Sequence, residues 1–225
     1  MGEAIGDVLS FGVGVALSPV PIIAVVLMLG TPRARSNGLA FLVGWLAGLL
    51  VVGTLVLLLA SGLDPSDEGE PAGWVSVVEI VLGALLLLVA VRMWRGRPAP
   101  GEDRDLPTWM QAIDTFTPGR SAAIAAALSG VNPKNLILTM GAAAAIAKTG
   151  IDTGQQFVAL VVFALIGTIG PGIPVAIYFA MGDRAPRVLS DLKSWLGVHN
   201  TAIMTVLCAV IAAKLVGAGV GGISG

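Results

Sequence analysis

Six long apolar stretches follow one another along the chain, and polar or charged segments separate them. A membrane helix needs about 20 mostly apolar residues, so each stretch predicts one transmembrane span. The predicted spans are Val8–Pro32, Ser36–Leu63, Pro71–Val91, Ser121–Ala147, Thr153–Gly182 and Ser194–Gly225. Within them the charged residues are Glu79, Lys134 and Lys214. The pattern therefore predicts an all-α integral membrane protein with six transmembrane helices.

The composition agrees that lipid is the solvent for most of the chain. Charged residues make up 12% of the 225 residues and hydrophobic residues 56%, whereas a soluble chain has about 25% charged residues. The mean hydropathy is +0.90. Cys208 is the single cysteine of the sequence, which excludes a disulfide within the chain and a dithiol redox site.

Positively charged residues concentrate in the segments between alternate spans. Of the basic residues, the loops on the other side of the predicted membrane contain only Lys148. Since cytoplasmic loops are enriched in lysine and arginine, the basic side is predicted to be the cytoplasmic one, with both termini outside. The ten basic residues assigned to the cytoplasmic side are Arg33, Arg35, Arg92, Arg95, Arg97, Arg104, Arg120, Arg184, Arg187 and Lys193.

The longest predicted loop covers residues 96–120 and lies on the cytoplasmic side. Its first part, Gly96–Asp105, is rich in proline, glycine and charge, which predicts irregular structure. Its second part has apolar residues at helical spacing, which favours a short amphipathic helix in the membrane interface. A simple linker with a few anchoring side chains is the alternative. The apolar residues are Leu106, Trp109, Met110, Ile113 and Phe116.

The six predicted spans divide into two sets of three, residues 1–95 and residues 121–225. Three spans per half place the second half in the opposite orientation, which is the inverted-repeat plan of many transporters. Ser18-Pro19 interrupts the first span and Asn132-Pro133 interrupts the fourth, at an offset of 114 residues. The matching positions of these interruptions predict two inverted three-helix repeats with broken helices 1 and 4.

Both interruptions have the residue types that begin a helix. Ser18 and Asn132 are favoured N-caps, while Pro19, Pro21 and Pro133 remove backbone donors and suit the first helical turn. Each motif therefore predicts a helix that starts within the membrane, beside a cavity that solvates the free backbone groups. The alternative is a pair of proline kinks that only shape helix packing.

Lys134 adds a positive charge to the second interruption. A charge at mid-membrane costs about 2.5–3.5 kcal/mol even on the lenient insertion scale, so it needs a partner or a wet cavity. Together with helix N-termini, this lysine favours an anionic group. Ser18, Asn132, Asn135 and Thr139 would contact the same anionic cargo or a coupling ion. Glu79 is the one acid within a predicted span, and we treat it as a second pathway residue and candidate partner, although it lies near the outer end.

Two further glycine-containing motifs bear on motion and packing. Gly170, Pro171 and Pro174 lie in the fifth span, where they predict a third flexible break and a hinge. Gly44 and Gly48 form a small-residue motif in the second span, which fits either an intramolecular seam or a homodimer face. We regard the intramolecular seam as the better interpretation.

The chain also resembles a known family in specific motifs. These are Pro107-Thr108-Trp109-Met110, Thr117-Pro118-Gly119-Arg120, Asn132-Pro133-Lys134-Asn135-Leu136 and Ser18-Pro19-x-Pro21-Ile22. They resemble the GAP family, the glycopeptidolipid-addressing, Sap-like proteins of the LysE transporter superfamily. The resemblance implies six spans, inverted repeats, a bacterial cytoplasmic membrane and export of cell-envelope glycolipids. It also implies envelope-lipid export partners.

These observations favour a membrane transporter that exports a cell-envelope lipid or a small anionic or zwitterionic solute by alternating access. The alternative is a non-transporting scaffold of a glycolipid export machine, acting through the cytoplasmic loop. The sequence contains no nucleophile–base pair and no catalytic motif, so we do not expect an enzyme. We expect membrane lipids as partners, and no nucleic acid, cofactor or metal.

Overall fold

The computed structural model describes residues 2–61, 73–97 and 112–224, and these are helices joined by short turns, without strands. Within these ranges the eight α-helices are α1 (Gly2–Ala16), α2 (Pro19–Leu29), α3 (Ala34–Ser61), α4 (Gly73–Arg95), α5 (Pro118–Gly130), α6 (Pro133–Lys148), α7 (Thr153–Met181) and α8 (Ala185–Ser224). Single 3₁₀ turns cover Ile113–Thr115 and Gly182–Arg184. The all-helical class predicted from the apolar pattern is confirmed for this part of the chain.

The apolar helices are long enough to cross a bilayer, which makes this a membrane protein. Three described segments have the length and hydropathy of a span, namely Ala34–Leu59, Val75–Arg95 and Thr153–Ile223. The pair Ala4–Ala16 and Pro19–Leu29 is bent by 54° and counts as a fourth segment if it is one broken span. The third segment contains both α7 and α8. By length and hydropathy the described residues therefore contain three or four spans, and the number six stays a prediction.

Both predicted interruptions coincide with helix boundaries. The chain leaves α1 after Ala16 and begins α2 at Pro19, with Ser18 in an extended conformation at the N-cap. It leaves α5 after Gly130 and begins α6 at Pro133, with Asn132 extended at the N-cap. Since proline cannot donate within a helix but fits its first turn, each proline motif marks the start of a new helix.

Helices from the first part of the chain pack mainly against helices from the second part. The most extensive contacts join α4 to α8, α3 to α5, and α1 to α7. The α3 helix also packs on α6 and α7, and α2 packs on α7 and α8. The α6 helix fills the centre between α1, α3 and α4. Nearly all of its residues from Lys134 to Ile146 are buried.

Glycines allow two of these helix pairs to approach closely. A Cβ on Gly44 would overlap the backbone of Ala122 in α5, and a Cβ on Gly48 would meet the backbone of Ala126. In the α1–α7 pair, Gly170 lies directly against the backbone of Ala16. The Gly44 and Gly48 motif is therefore an intramolecular seam, as small residues permit between membrane helices.

The described part of the predicted cytoplasmic loop packs on the helical bundle. The side chains of Ile113 and Phe116 are buried, and the turn that contains Ile113 contacts α2. The Asn37 side-chain amide donates to the Phe116 carbonyl at 3.0 Å. Leu106, Trp109 and Met110 lie outside the described residues, so the amphipathic helix stays a prediction.

The predicted break in the fifth span is not observed. The α7 helix continues through Gly170, Pro171 and Pro174 without interruption. Pro171 lacks the N–H that would bond to the carbonyl of Gly167 four residues earlier. The indole Nε1 of Trp45 donates to that carbonyl at 3.1 Å, so the carbonyl is satisfied from α3. This bond explains how the helix tolerates the proline, and hinge motion at these residues stays a prediction.

Candidate functional site

The two helix interruptions meet at the side chain of Lys134. Lys134 lies in the first turn of α6 and is 4% exposed. Its ammonium donates to the carbonyl of Gly14 in α1 at 2.8 Å and to the hydroxyl of Ser18 at 2.5 Å. The Gly14 carbonyl belongs to the last turn of α1, where helix carbonyls lack intrahelical partners and carry partial negative charge. The lysine thus neutralises the open end of α1.

Hydrogen bonds around Lys134 fix the geometry of both interruptions. Asn132 caps α6 by accepting from the backbone N–H of Lys134 at 3.0 Å. Ser18 does not cap α2 with its side chain. Instead, its hydroxyl donates to the Val15 carbonyl at 2.7 Å while it accepts from the lysine. The serine is therefore oriented by α1, and its lone pair points at the ammonium.

Asn135 and Thr139 continue the buried polar strip along α6. Asn135 donates from Nδ2 to the Leu128 carbonyl of α5 at 3.2 Å. Thr139 donates to the Asn135 carbonyl at 2.8 Å. The Oδ1 atom of Asn135 is buried and has no hydrogen-bond partner among the described residues. One unused acceptor therefore lies beside the cationic first turn of α6.

Glu79 belongs to a different group of charges. Its carboxylate lies 3.3 Å from the Lys148 ammonium at the end of α6. Near it, Lys214 lies 3.5 Å from Asp7 and also donates to the Ser10 hydroxyl at 3.2 Å. The four charged residues line a cavity of about 160 Å³ together with Phe11. Glu79 therefore pairs with Lys148 and not with Lys134, and its role in the pathway stays a prediction.

The charge on Lys134 has no carboxylate partner within the described residues. The ion pairs found there are Lys148–Glu79 and Lys214–Asp7. Carbonyl and hydroxyl oxygens satisfy two of the three ammonium hydrogens. A membrane-buried cation with neutral partners alone is costly and is characteristic of a functional position.

The structure brings most of the predicted site residues together and separates others from them. Ser18 at the N-cap of α2 contacts Lys134, whose backbone N–H bonds to Asn132 at the N-cap of α6. Pro19 and Pro133 begin these two helices, and Asn135 follows Lys134. Pro21 lies in the buried first turn of α2. Thr139 is one turn further along α6, whereas Glu79 belongs to the charged cavity.

Sequence reasoning missed three contributors to this region. Gly14 acts through its backbone carbonyl, which no residue pattern distinguishes from others. Trp45 is fully buried and satisfies the carbonyl exposed by Pro171. The four-residue spacing between Gly167 and Pro171 could have indicated an orphaned carbonyl, but not its donor. Asp7 precedes the first predicted span, and no local pattern indicates its pairing with Lys214.

The geometry defines a class of protein: a polytopic helical membrane protein in which two helices broken within the apolar region meet at a buried cation. The chain matches, over residues 8–221, the family described as Sap, sulfolipid-1-addressing protein. It belongs to that family, which confirms the Sap-like part of the resemblance. No curated protein and no solved structure matches the chain.

Proposed function

We propose that this protein is a transporter that moves an anionic envelope lipid, or a small anionic or zwitterionic solute, across the membrane by alternating access. The observation that carries this proposal is the contact of both helix interruptions at Lys134. In transporters with repeated halves, discontinuous helices form the cargo site near the middle of the bilayer. The family description adds a sulfolipid as the expected cargo class.

The helix packing supports six spans in two inverted repeats. If α1–α2 is exchanged with α5–α6, α3 with α7, and α4 with α8, several of the larger contacts map onto one another, whereas the α1–α6 contact has no α5–α2 counterpart of similar extent among the described residues. The α3–α5 contact becomes α7–α1, α3–α6 becomes α7–α2, and α4–α6 becomes α8–α2. The α3–α7 and α4–α8 contacts map onto themselves. This exchange is expected of repeats related by a two-fold axis.

The lengths of the last two helices support the division into separate spans. Thr153–Ile223 contains 71 residues, which would extend roughly 105 Å as one straight helix. That exceeds the hydrocarbon thickness of about 30 Å more than threefold. The α7 and α8 helices pack against each other on either side of the turn at Gly182–Arg184. We therefore count them as two spans.

The chemistry at Lys134 supports an anionic cargo. The ammonium lacks a counter-ion among the described residues, and an anionic headgroup would supply one. The unused Oδ1 of Asn135 would accept a hydrogen bond from a hydroxyl or ammonium group of the same molecule. A sulfated or acidic glycolipid offers both features. In this proposal the cargo competes with Gly14 and Ser18 for the lysine.

The direction and location are proposed from the charge distribution and the family resemblance. We propose a bacterial cytoplasmic membrane with both termini outside, because the basic segments would then face the cytoplasm. Membership of the LysE superfamily and export from the cytoplasm are proposed on the same resemblance. The transport step requires no covalent chemistry, cofactor or metal.

The proposal is tested with purified protein in sealed vesicles that contain a fluorescent sulfated glycolipid. Translocation is measured as the loss of fluorescence on adding a membrane-impermeant quencher. Replacing Lys134 with alanine is expected to slow translocation by about tenfold or more, equivalent to at least 1.4 kcal/mol in the barrier. Lys134→Arg, which retains the charge, should keep part of the activity. Arg187→Ala removes an exposed charge at the start of α8 and is the matched control.

Unchanged translocation by a folded Lys134→Ala protein would contradict the transport mechanism. No translocation by the unmodified protein would favour the scaffold alternative, in which the cytoplasmic loop recruits an export machine. Deleting residues 96–105 separates these outcomes. In cells, a scaffold with this deletion loses lipid export. In the vesicle assay, a purified transporter with the same deletion keeps its flux.

A further inference from the structure

The α4 and α6 helices line an apolar groove. Its volume is about 540 Å³. One wall is a stripe of α4, the other is the beginning of α6, and every lining residue is aliphatic, a proline or a methionine. The lining residues are Val77, Val78, Val81, Leu82, Leu85, Leu88, Val89, Pro133, Leu136, Ile137 and Met140.

The dimensions of this groove identify the kind of occupant. From Val77 to Val89 the α4 wall is roughly 18 Å long at 1.5 Å per residue. Dividing the volume of about 540 Å³ by that length gives a mean cross-section of roughly 30 Å². A helix with side chains is 10–12 Å wide, or roughly 80–110 Å² in section, so only its side chains would enter the groove. A single extended hydrocarbon chain would lie within it.

The groove also borders the proposed transport site. Its floor includes Pro133 and Leu136, which flank Lys134 and Asn135 in the first turn of α6. At its other end, Val77 and Val78 precede Glu79, which pairs with Lys148. An occupant therefore touches the helix whose first turn holds the buried cation.

We infer that this groove binds one acyl chain of a membrane lipid along α4 and α6. The inference deepens the proposed lipid transport and rests on it for the claim that the bound lipid is cargo. The bulk bilayer touches other exposed surfaces as well, including Leu55 and Leu58 on α3. The groove differs because it surrounds a chain from two sides, which increases contact area and residence time.

The test uses the full-length protein in lipid nanodiscs doped with phosphatidylcholine that carries a photoactivatable diazirine midway along one acyl chain. After irradiation, the labelled residues are mapped by mass spectrometry. Labelling at Leu136, Ile137 and Met140 is expected to exceed labelling at Leu55 and Leu58 several-fold. Equal labelling of the groove and the α3 surface would overturn the inference.

A pair of matched variants makes the result specific. Val81 and Val91 both lie on α4 with exposed side chains, but only Val81 lines the groove. Val81→Trp should fill the groove and lower labelling of the α6 residues several-fold, whereas Val91→Trp should leave it unchanged. If Val81→Trp has no effect, the inference is wrong.

The vesicle translocation assay keeps this inference distinct from the proposed function. Preferential groove labelling without translocation would leave the acyl-chain site in place and remove the transporter. Translocation without preferential labelling would leave the transporter and remove the site.

Discussion

The two helix interruptions have the same backbone plan and different chemistry. At an offset of 114 residues, Gly14 corresponds to Leu128 and Pro21 corresponds to Asn135. The carbonyls of Gly14 and Leu128 each lie in the last turn before a break, and the residue four positions later is an extended N-cap. In the second break Asn135 donates to Leu128, but Pro21 has no donor for Gly14.

Lys134 compensates for this difference. Its ammonium crosses from α6 to the Gly14 carbonyl, so donors on α6 satisfy the equivalent carbonyls of both breaks. The first break thus offers acceptors, and the second break offers a cation. A nearly symmetric backbone can therefore hold an asymmetric polar site, since the two breaks share helix starts but not hydrogen-bond donors.

Replacing Lys134 tests whether the cation at the second break serves transport more than folding. Lys134→Met removes hydrogen bonds worth about 1.5–3 kcal/mol each to a charged group. It also removes a buried charge that costs about 2.5–3.5 kcal/mol. Because these terms oppose each other, thermal stability in detergent should change little, while translocation falls about tenfold or more. Large destabilisation with normal specific activity would assign the lysine to folding.

A smaller effect is expected from the acceptor in the first break. Ser18→Ala deletes one of the two oxygens that bind the ammonium, which should cost about 1.5–3 kcal/mol. A double-mutant cycle with Lys134→Met, measured by chemical unfolding in micelles, should return most of that energy as coupling. Additive effects of the two changes would mean that the Ser18–Lys134 bond contributes nothing.

The cap of the second break should contribute less than the bond between the breaks. Asn132→Ala removes a side-chain N-cap, at about 1 kcal/mol. Asn132→Asp should retain the cap, since aspartate accepts the same backbone hydrogen bond. The same unfolding measurement decides this. Equal loss in both variants would show that the cap is not the stabilising interaction.

Corresponding positions of the two breaks should differ little in membrane depth. Leu17 and Val131 are exposed residues at corresponding positions of the two breaks. In a Cys208→Ser background, spin labels at single cysteines in these positions should report the same membrane depth if the halves are inverted repeats. A label at exposed Val198, near the start of the predicted sixth span, should lie closer to water. Clearly different depths for Leu17 and Val131 would break the symmetry.

The sequence was sufficient for features that depend on local chemistry. The apolar lengths predict the helices, and the serine–proline and asparagine–proline pairs predict where α2 and α6 begin. These signals are readable because proline geometry and capping act within a few residues. Lys134 was identified for the same reason, as a charge inside an apolar run.

The missed features depend on contacts between distant segments. Glu79 lies 69 positions from Lys148 in the chain, and nothing local distinguishes that partner from Lys134. In α7, the donor that satisfies the Gly167 carbonyl is Trp45, 122 positions away in the chain. The proline pattern predicted a break there that the structure does not contain.

In both ion pairs around the charged cavity, the acid and the base come from different parts of the chain, which has a mechanical consequence. Asp7 and Glu79 come from residues 2–95, whereas Lys214 and Lys148 come from residues 118–224. Both acids therefore lie on one part of the chain and both bases on the other. Pulling the two parts apart at this end must break both pairs together, so their resistance adds. The partly exposed Asp7–Lys214 pair would yield more readily in salt than the pair of buried Glu79 with Lys148.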